Sequence, residues 1–185
     1  MTQSFDPNPQ PAQPPAPGGS LPINNEATIV AELTRRMKSG ANNFYWIAAL
    51  SVVNSALSIT GSGTYFVIGL AATLIVDSIT ISVSESFPDA VLIVKIVGFV
   101  LSVMISGVFA FFGFFASRGK RWAFLVGMVL YSLDGLIMLA FADWIGVLFH
   151  GFFLWGLFGG WRALSQLGQL SPQKQSDFPQ NIGTS

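Results

Sequence analysis

The chain has 185 residues, enough for one compact domain, and its nine basic residues balance nine acidic ones. Hydrophobic residues make up 51% of it and charged residues only 10%, against about a quarter charged in a soluble domain. The near-zero net charge indicates no nucleic-acid partner. With no Cys and a single His, thiolate catalysis and Cys-based or His-rich metal sites are excluded, and we expect neither metal nor cofactor.

The aromatic content points to a lipid environment. Phe occurs 17 times, and the core of a soluble domain of this size is too small to bury so many large side chains. Backbone groups in lipid have no water to bond, so apolar segments there must be helical. The sequence therefore predicts an all-α, polytopic transmembrane helix bundle of four to five membrane helices with a short N-terminal amphipathic helix.

The first 40 residues contain no membrane-length segment. Residues 1–22 are rich in Pro, Gln, Gly and Ser, which predicts a disordered tail. Within residues 23–40, Ile29, Val30, Leu33 and Met37 recur at helical spacing and Gly40 is a typical helix end. Because bases crowd the last turn, we expect an amphipathic helix that lies along the membrane interface.

Residues 43–165 contain five apolar segments, at about 43–59, 65–83, 90–116, 122–142 and 144–164. A helix needs about 20 residues to cross the hydrocarbon, and the first segment is both short and polar. It either spans the membrane or re-enters beside the others, and we slightly favour spanning. Short connections predict antiparallel neighbours. Residues 166–185 are polar and are expected to form a disordered tail.

Basic residues lie in three places, while the two other turns hold only acids. The bases are Arg35, Arg36 and Lys38, then Arg118, Lys120 and Arg121, then Arg162 and Lys174. The positive-inside rule places the turn at residues 118–121 and the C-terminus in the cytoplasm. If all five segments span, the first basic group lies on the opposite side. If the first segment does not span, all three lie together, so the side of the N-terminus stays open.

Four titratable residues fall within the apolar segments: Asp77, Lys95, Asp134 and His150. An Asp or Lys at a membrane helix centre costs about 2.5–3.5 kcal/mol, so each needs a partner or water. Asp77 and Lys95 flank Ser86 nine residues away on either side, and Asp134 and His150 flank Ala142 eight residues away on either side. This spacing predicts two pairs, Asp77–Lys95 and Asp134–His150, in one layer roughly 8–12 Å below the outward surface.

The predicted polar cluster allows two interpretations. Titratable groups inside a membrane often mark an ion path or a proton relay. They also serve as hydrogen-bonded clips that hold helical hairpins in register. Catalysis is not expected, because Ser106-Gly107 lacks the Gly-x-Ser-Gly pattern of an intramembrane serine protease and Gly61–Gly63 lacks the context of a phosphate loop.

Two stretches resemble a group of small multi-pass bacterial membrane proteins with no assigned activity. They are KSGANNFYWIAALSVVNSAL, at residues 38–57, and RGKRWAFLVGMVLYSLDGLIMLAFADWIGVLFHGFFLWGLFGG, at residues 118–160. The resemblance implies a bacterial inner-membrane location and transfers no catalytic residue. We expect a non-enzymatic accessory, scaffold or assembly protein that meets the lipid bilayer and either a homo-oligomer or a larger membrane partner. The alternative is a small transporter or ion- or proton-conducting protein that uses the polar cluster.

Overall fold

The computed structural model describes residues 23–60 and 69–176. Within these two ranges the chain forms five α-helices and one short 3-10 turn, with no strand. The helices are α1 (Ile23–Thr60), α2 (Ala71–Ser86), α3 (Val91–Ser117), α4 (Arg121–Ala140) and α5 (Trp144–Ser176), and the 3-10 turn is Pro88–Ala90. The predicted Pro-rich tail at residues 1–22 lies outside the described residues.

Helices α3, α4 and α5 account for the membrane character of the fold. Each of them is long and apolar enough to cross a membrane, and among the residues described no other helix meets both conditions. Their outward-facing side chains stay uncovered by the chain, as at Leu92, Met104 and Trp155, which are 71%, 64% and 83% exposed. An apolar surface of this kind is stable against hydrocarbon rather than water. The predicted all-helical fold is therefore confirmed for the described residues, with three helices that are candidate membrane spans.

Helix α1 is one continuous element, so the predicted helix end at Gly40 is wrong. Gly40 is buried against Gly160 of α5, where a side chain would have no room. The glycine therefore serves a close helix crossing rather than a helix end. The exposed first part of α1 carries Glu32, to which Arg36 and Arg35 donate hydrogen bonds. These bonds hold the pKa of the Glu32 carboxyl below its ordinary value.

From about residue 37 to its end, helix α1 runs antiparallel to α3. Met37 comes close to Gly119, just beyond the end of α3, and the last turn of α1 accepts a hydrogen bond from Lys95, near the start of α3. The bases of α1 therefore lie at the end of the bundle that holds residues 118–121, which we call the basic end. The opposite end, with the turns at Pro88–Ala90 and Ala142, is the acidic end.

The sequence predicts that the apolar segment at residues 43–59 is the short one, but this segment is part of the long helix α1, and the short helix is α2. Its 16 residues extend only about 24 Å at 1.5 Å per residue. The sequence predicts that this segment starts at about residue 65. Residues 61–68 lie outside the described part, and α2 begins at Ala71. The amide of Leu70 donates to Ser51 Oγ at 2.9 Å. The helix thus begins level with the middle of α1, inside the bundle, and runs to the acidic end.

The interior divides into an apolar half and a polar half. Towards the basic end, Phe44 packs against Phe112 and Phe124 with ring centroids 6.2 Å apart in both pairs. The buried polar side chains lie towards the acidic end, among fewer apolar ones such as Leu70 and Met138: Ser51, Asn54, Ser55, Thr73, Asp77, Ser84, Ser102, Ser106, Asp134 and His150. Helix α5 continues to Ser176, well past Gln166, where the sequence predicts that the polar tail begins.

Candidate functional site

The centre of the polar half is the Asp134 carboxylate, which is 6% exposed. Its two oxygens accept the amides of Ala71 and Ala72, the first two residues of α2, at 2.8 and 2.9 Å. Leu70, which precedes them, offers no side-chain cap. A carboxylate at a helix N-terminus satisfies amides that lack helical partners and is favoured by the helix dipole. Asp134 therefore caps α2 from a neighbouring helix.

The third partner of Asp134 is His150, whose Nε2 lies 2.9 Å from Oδ2. The pair predicted from the sequence is thus in direct contact, and His150 is only 3% exposed. On the other side of the ring, Nδ1 lies 2.8 Å from the carbonyl oxygen of Gly146. Both ring nitrogens therefore face oxygen atoms of the protein.

A carbonyl oxygen only accepts hydrogen bonds, so Nδ1 of His150 carries the proton that it donates to Gly146. In a neutral ring, Nε2 would then present its lone pair to the Asp134 carboxylate at 2.9 Å, which is repulsive. One further proton removes the conflict, whether it sits on Nε2 or on the Asp134 oxygen. The ring can donate to the Gly146 carbonyl and to the Asp134 carboxylate at the same time only when both of its nitrogens carry a proton.

Two neighbours hold the imidazole in place. The Tyr131 ring stacks on it with centroids 4.4 Å apart and an interplanar angle of 16°. On the helix that carries Asp134, Gly135 lets the ring approach, because a Cβ there would lie 3.1 Å from His150 Cδ2. An aromatic face also favours a ring that bears positive charge. The ring orientation is thus determined by packing as well as by hydrogen bonds.

Asp77 forms a second polar group on α2, nearer the acidic end. Ser55 of α1 donates to its Oδ2 at 2.8 Å, and Ser102 of α3 donates to its Oδ1 at 2.9 Å. The Asp77 carboxylate is 6% exposed. One carboxylate thus ties together three helices, with no basic side chain of the described residues in contact with it.

The predicted pair of Asp77 with Lys95 is wrong. Lys95 Nζ instead donates at 3.1 Å to the carbonyl oxygen of Ile59, in the last turn of α1, where the helix dipole favours a cation. The cause is the position of the turn between α2 and α3. The prediction centred it on Ser86, but the turn is the 3-10 segment Pro88–Ala90. When the centre of the turn moves by about three residues along the chain, the residue of α3 that lies opposite Asp77 moves by twice that number. Asp77 therefore contacts Ser102 rather than Lys95.

The four predicted residues consequently lie at different depths rather than in one layer. Asp134 contacts the start of α2, and Asp77 is six residues further along it, about 9 Å at 1.5 Å per residue. Lys95 precedes the Asp77 partner Ser102 by seven residues on α3, about 10 Å nearer the acidic end. Only Asp134 and His150 lie at one depth.

Sequence reasoning missed the backbone and hydroxyl partners of these groups. The amides at the start of α2 leave no mark in the sequence, because the capped residues are both Ala. The serines are more informative: Ser51, Ser55, Ser102 and Ser106 recur at helical spacing and are all buried. A periodic serine stripe on two apolar segments predicts packing, and nothing in it specifies a carboxylate acceptor.

A cleft of about 760 Å³ opens beside these groups, between α1, α2 and the end of α4. Its wall is mainly aliphatic, with Ile and Leu side chains from α2, and its polar residues include Asp77 and Asp143. Ala71 also lines it, and the amide of the same residue binds Asp134. Cavities of this size and composition are typical of small-molecule sites.

No group of three or more His, Cys, Asp or Glu side chains comes together to hold a metal within the described ranges. No protein-family model matches the chain, and the comparisons with curated proteins and with solved structures give no match either.

Proposed function

We propose that the chain is a small membrane transporter or proton-conducting protein in which the Asp134–His150 pair binds and releases a proton. The observation that carries the proposal is the double use of Ala71, which lines the cleft and donates its amide to Asp134. The start of α2 therefore belongs to the cleft and to the proton-holding pair at once. Helices that begin inside the membrane and point their N-termini at a binding site are common in transporters.

The proposal includes an arrangement in the membrane. Helices α1, α3, α4 and α5 span, while α2 covers only the half nearer the acidic end. With four spans, all three basic groups fall on one side, which the positive-inside rule assigns to the cytoplasm of a bacterial inner membrane. The antiparallel course of α1 beside α3 supports this count. The acidic end, with the cleft beside it, then faces outward.

The test is proton movement in vesicles. Purified protein is reconstituted into liposomes that enclose a pH-sensitive dye, and a potassium diffusion potential drives protons inward. We expect acidification above that of empty liposomes, and its loss in Asp134→Asn and His150→Ala. Asp89→Asn is the matched control, because Asp89 is an exposed acid in the turn before α3. Wild-type vesicles that acidify no faster than empty ones would contradict the proposal.

A purely structural clip must be separated from a proton carrier. His150→Gln keeps a side-chain donor within reach of Asp134 but removes the titratable ring. A variant that folds with wild-type helicity and thermal stability but no longer moves protons supports the proposal. Wild-type proton movement in His150→Gln contradicts a proton-carrying role for the ring.

The second candidate is the non-enzymatic accessory, scaffold or assembly role. The observation in its favour is the long apolar face of α3, where Leu92, Ile93, Ile96 and Met104 are all more than half exposed. Such a face suits a homo-oligomer or a larger membrane partner as well as lipid. Cross-linking in native membranes tests this role. A defined cross-linked species lost on Met104→Trp but retained on Trp155→Ala would support it.

A further inference from the structure

We infer that the cleft between α1, α2 and α4 is a binding site for an amphipathic organic cation, with Asp77 as its counter-ion. The inference names the ligand class of the proposed transporter and in that sense rests on the proposed function. Binding is measured without transport, however, so the two proposals can fail separately.

The charge of the side chains that line the cleft favours a cationic ligand. Asp77 and Asp143 both line the cleft, and none of its described lining residues is Lys or Arg. The hydrogen bonds of Asp77 come from two neutral hydroxyls, Ser55 and Ser102, which solvate a carboxylate without neutralising it. A carboxylate removed from water is most stable beside a cation. No Lys or Arg is among the described residues that line the cleft, and Lys95 is bound to Ile59.

The chain between α1 and α2 does not remove this need. Residues 61–68 read GSGTYFVI and carry no charged side chain. Wherever these residues lie, they leave the charge of Asp77 and Asp143 unbalanced. A cation from outside the chain would therefore meet two carboxylates in the cleft and no competing basic side chain among its described lining residues.

The wall of the cleft determines the rest of the ligand. Apart from its few polar residues it is formed by aliphatic and aromatic side chains, including Leu74, Ile75, Ile137 and Phe141. A hydrated metal ion would leave this wall uncovered, and an anion would meet two carboxylates. A ligand with an apolar body and one positive charge satisfies both the wall and the carboxylates. Its volume has to fit within about 760 Å³.

Tetraphenylphosphonium is a suitable probe, because its charge is permanent and its body is apolar. Binding to the detergent-purified full chain is measured by equilibrium dialysis with radiolabelled probe. Tetraphenylborate, an anion of nearly the same shape, is the matched ligand. We expect saturable binding of the cation and none of the anion. Equal binding of both ions would overturn the inference, since it would reduce the cleft to an apolar surface.

Variants locate the site. Asp77→Asn should weaken binding of the cation by about tenfold or more, while Glu85→Gln, an exposed acid on the same helix and outside the cleft, should leave it within about twofold. Because Asp77→Asn removes a carboxylate bound to α1 and α3, it can impair folding. Ile137→Trp then decides the case by filling the cleft from α4, and it should also weaken binding.

Two further outcomes overturn the inference. Unchanged affinity in both Asp77→Asn and Ile137→Trp would place the cation elsewhere. Phospholipid retained at a fixed ratio, with no saturable uptake of the cation, would assign the cleft to lipid. Cation binding without proton movement in vesicles leaves the inference standing and contradicts only the proposed transport. Proton movement without cation binding does the reverse.

Discussion

The backbone of α1 at Gly40 packs directly against the backbone of α5 at Gly160. A Cβ built on either glycine would run into the other helix: at Gly160 it would lie 2.8 Å from the Gly40 Cα. Membrane helices gain little from the hydrophobic effect when they associate, because lipid is as apolar as their side chains. Close contact between backbones through small residues replaces it, and here it ties α1 to a helix that has the length and apolarity of a membrane span.

Gly40→Ala should therefore destabilise the bundle by about 1–3 kcal/mol, the usual result of overfilling a packed interior. The matched control is Gly159→Ala on α5, since a Cβ there would have no neighbour within 4 Å. It should be neutral or slightly stabilising, because Ala favours a helix over Gly. Thermal unfolding in detergent, followed by circular dichroism, compares the two. A Gly40→Ala protein as stable as Gly159→Ala would contradict the close crossing.

Because Asp134 caps α2, replacing it with Asn should lower the free energy of unfolding more than the same substitution at Asp143. Asp134→Asn breaks a buried contact with His150 and weakens two amide bonds, so it should cost about 3–5 kcal/mol. Asp143→Asn should cost less than about 0.5 kcal/mol. Asp143 is the half-buried N-cap of α5, bonded to the amide of Gly146, and Asn caps a helix as well as Asp. The same thermal unfolding measures both, and similar losses would argue against a special role for Asp134.

The proton count of the Asp134–His150 pair is directly measurable, because His150 is the only histidine in the chain. Nitrogen-15 labelling of histidine gives one pair of ring signals, which NMR in detergent micelles assigns without ambiguity. We expect a protonated Nδ1, since it donates to the Gly146 carbonyl, and an Nε2 that shares a proton with Asp134. In Asp134→Asn the Nε2 signal should move to that of an unprotonated nitrogen. A wild-type ring protonated at Nε2 alone would refute the assignment.

The two hairpins show how far sequence reasoning reaches here. The predicted pairs Asp77–Lys95 and Asp134–His150 both assume that the two helices of a hairpin are symmetric about the turn between them. The assumption holds for α4 and α5, whose short turn centres on Ala142, a residue with a positive φ of 55°. It fails for α2 and α3, because Pro88 starts a 3-10 turn that displaces the centre. The helical class and the apolar segments follow from composition and period, whereas register depends on turn geometry that the sequence specifies poorly.

The start of α2 was harder to predict for a different reason. Its cap is Asp134, which lies 63 residues further along the chain than Ala71. Local signals mark a helix start when the capping side chain is adjacent in sequence, and here Leu70 occupies that position without capping. Gly40 gives the opposite error: a glycine after a basic turn is typical of a helix end, but α1 continues through it. Its partner Gly160 is even further away in sequence than Asp134 is from Ala71. Both errors concern long-range contacts.

The corrected register predicts which side chains of the polar half are energetically coupled. Asp77 and Ser102 share a buried hydrogen bond of 2.9 Å, so a double-mutant cycle with Asp77→Asn and Ser102→Ala should give a coupling of about 1–2 kcal/mol. Asp77→Asn combined with Lys95→Met should be additive within about 0.5 kcal/mol, because Lys95 bonds to Ile59 instead. Thermal unfolding of the single and double variants gives both values. Coupling to Lys95 of the same size as to Ser102 would restore the pairing predicted from the sequence.

Because α1 runs beside α3, we expect its N-terminal part to lie on the same side of the membrane as the turn between α3 and α4. Single cysteines can report this directly, because the sequence contains no other Cys. Exposed positions at the two ends of the bundle are replaced one at a time, as Ala31→Cys on α1, Lys120→Cys between α3 and α4, and Glu85→Cys on α2. A membrane-impermeant thiol reagent is applied to intact cells and then to inverted vesicles. Because α1 starts at the basic end, Ala31→Cys and Lys120→Cys should react only in inverted vesicles and Glu85→Cys only in cells. Labelling of Ala31→Cys and Lys120→Cys from opposite sides would mean that α1 does not run beside α3 as described.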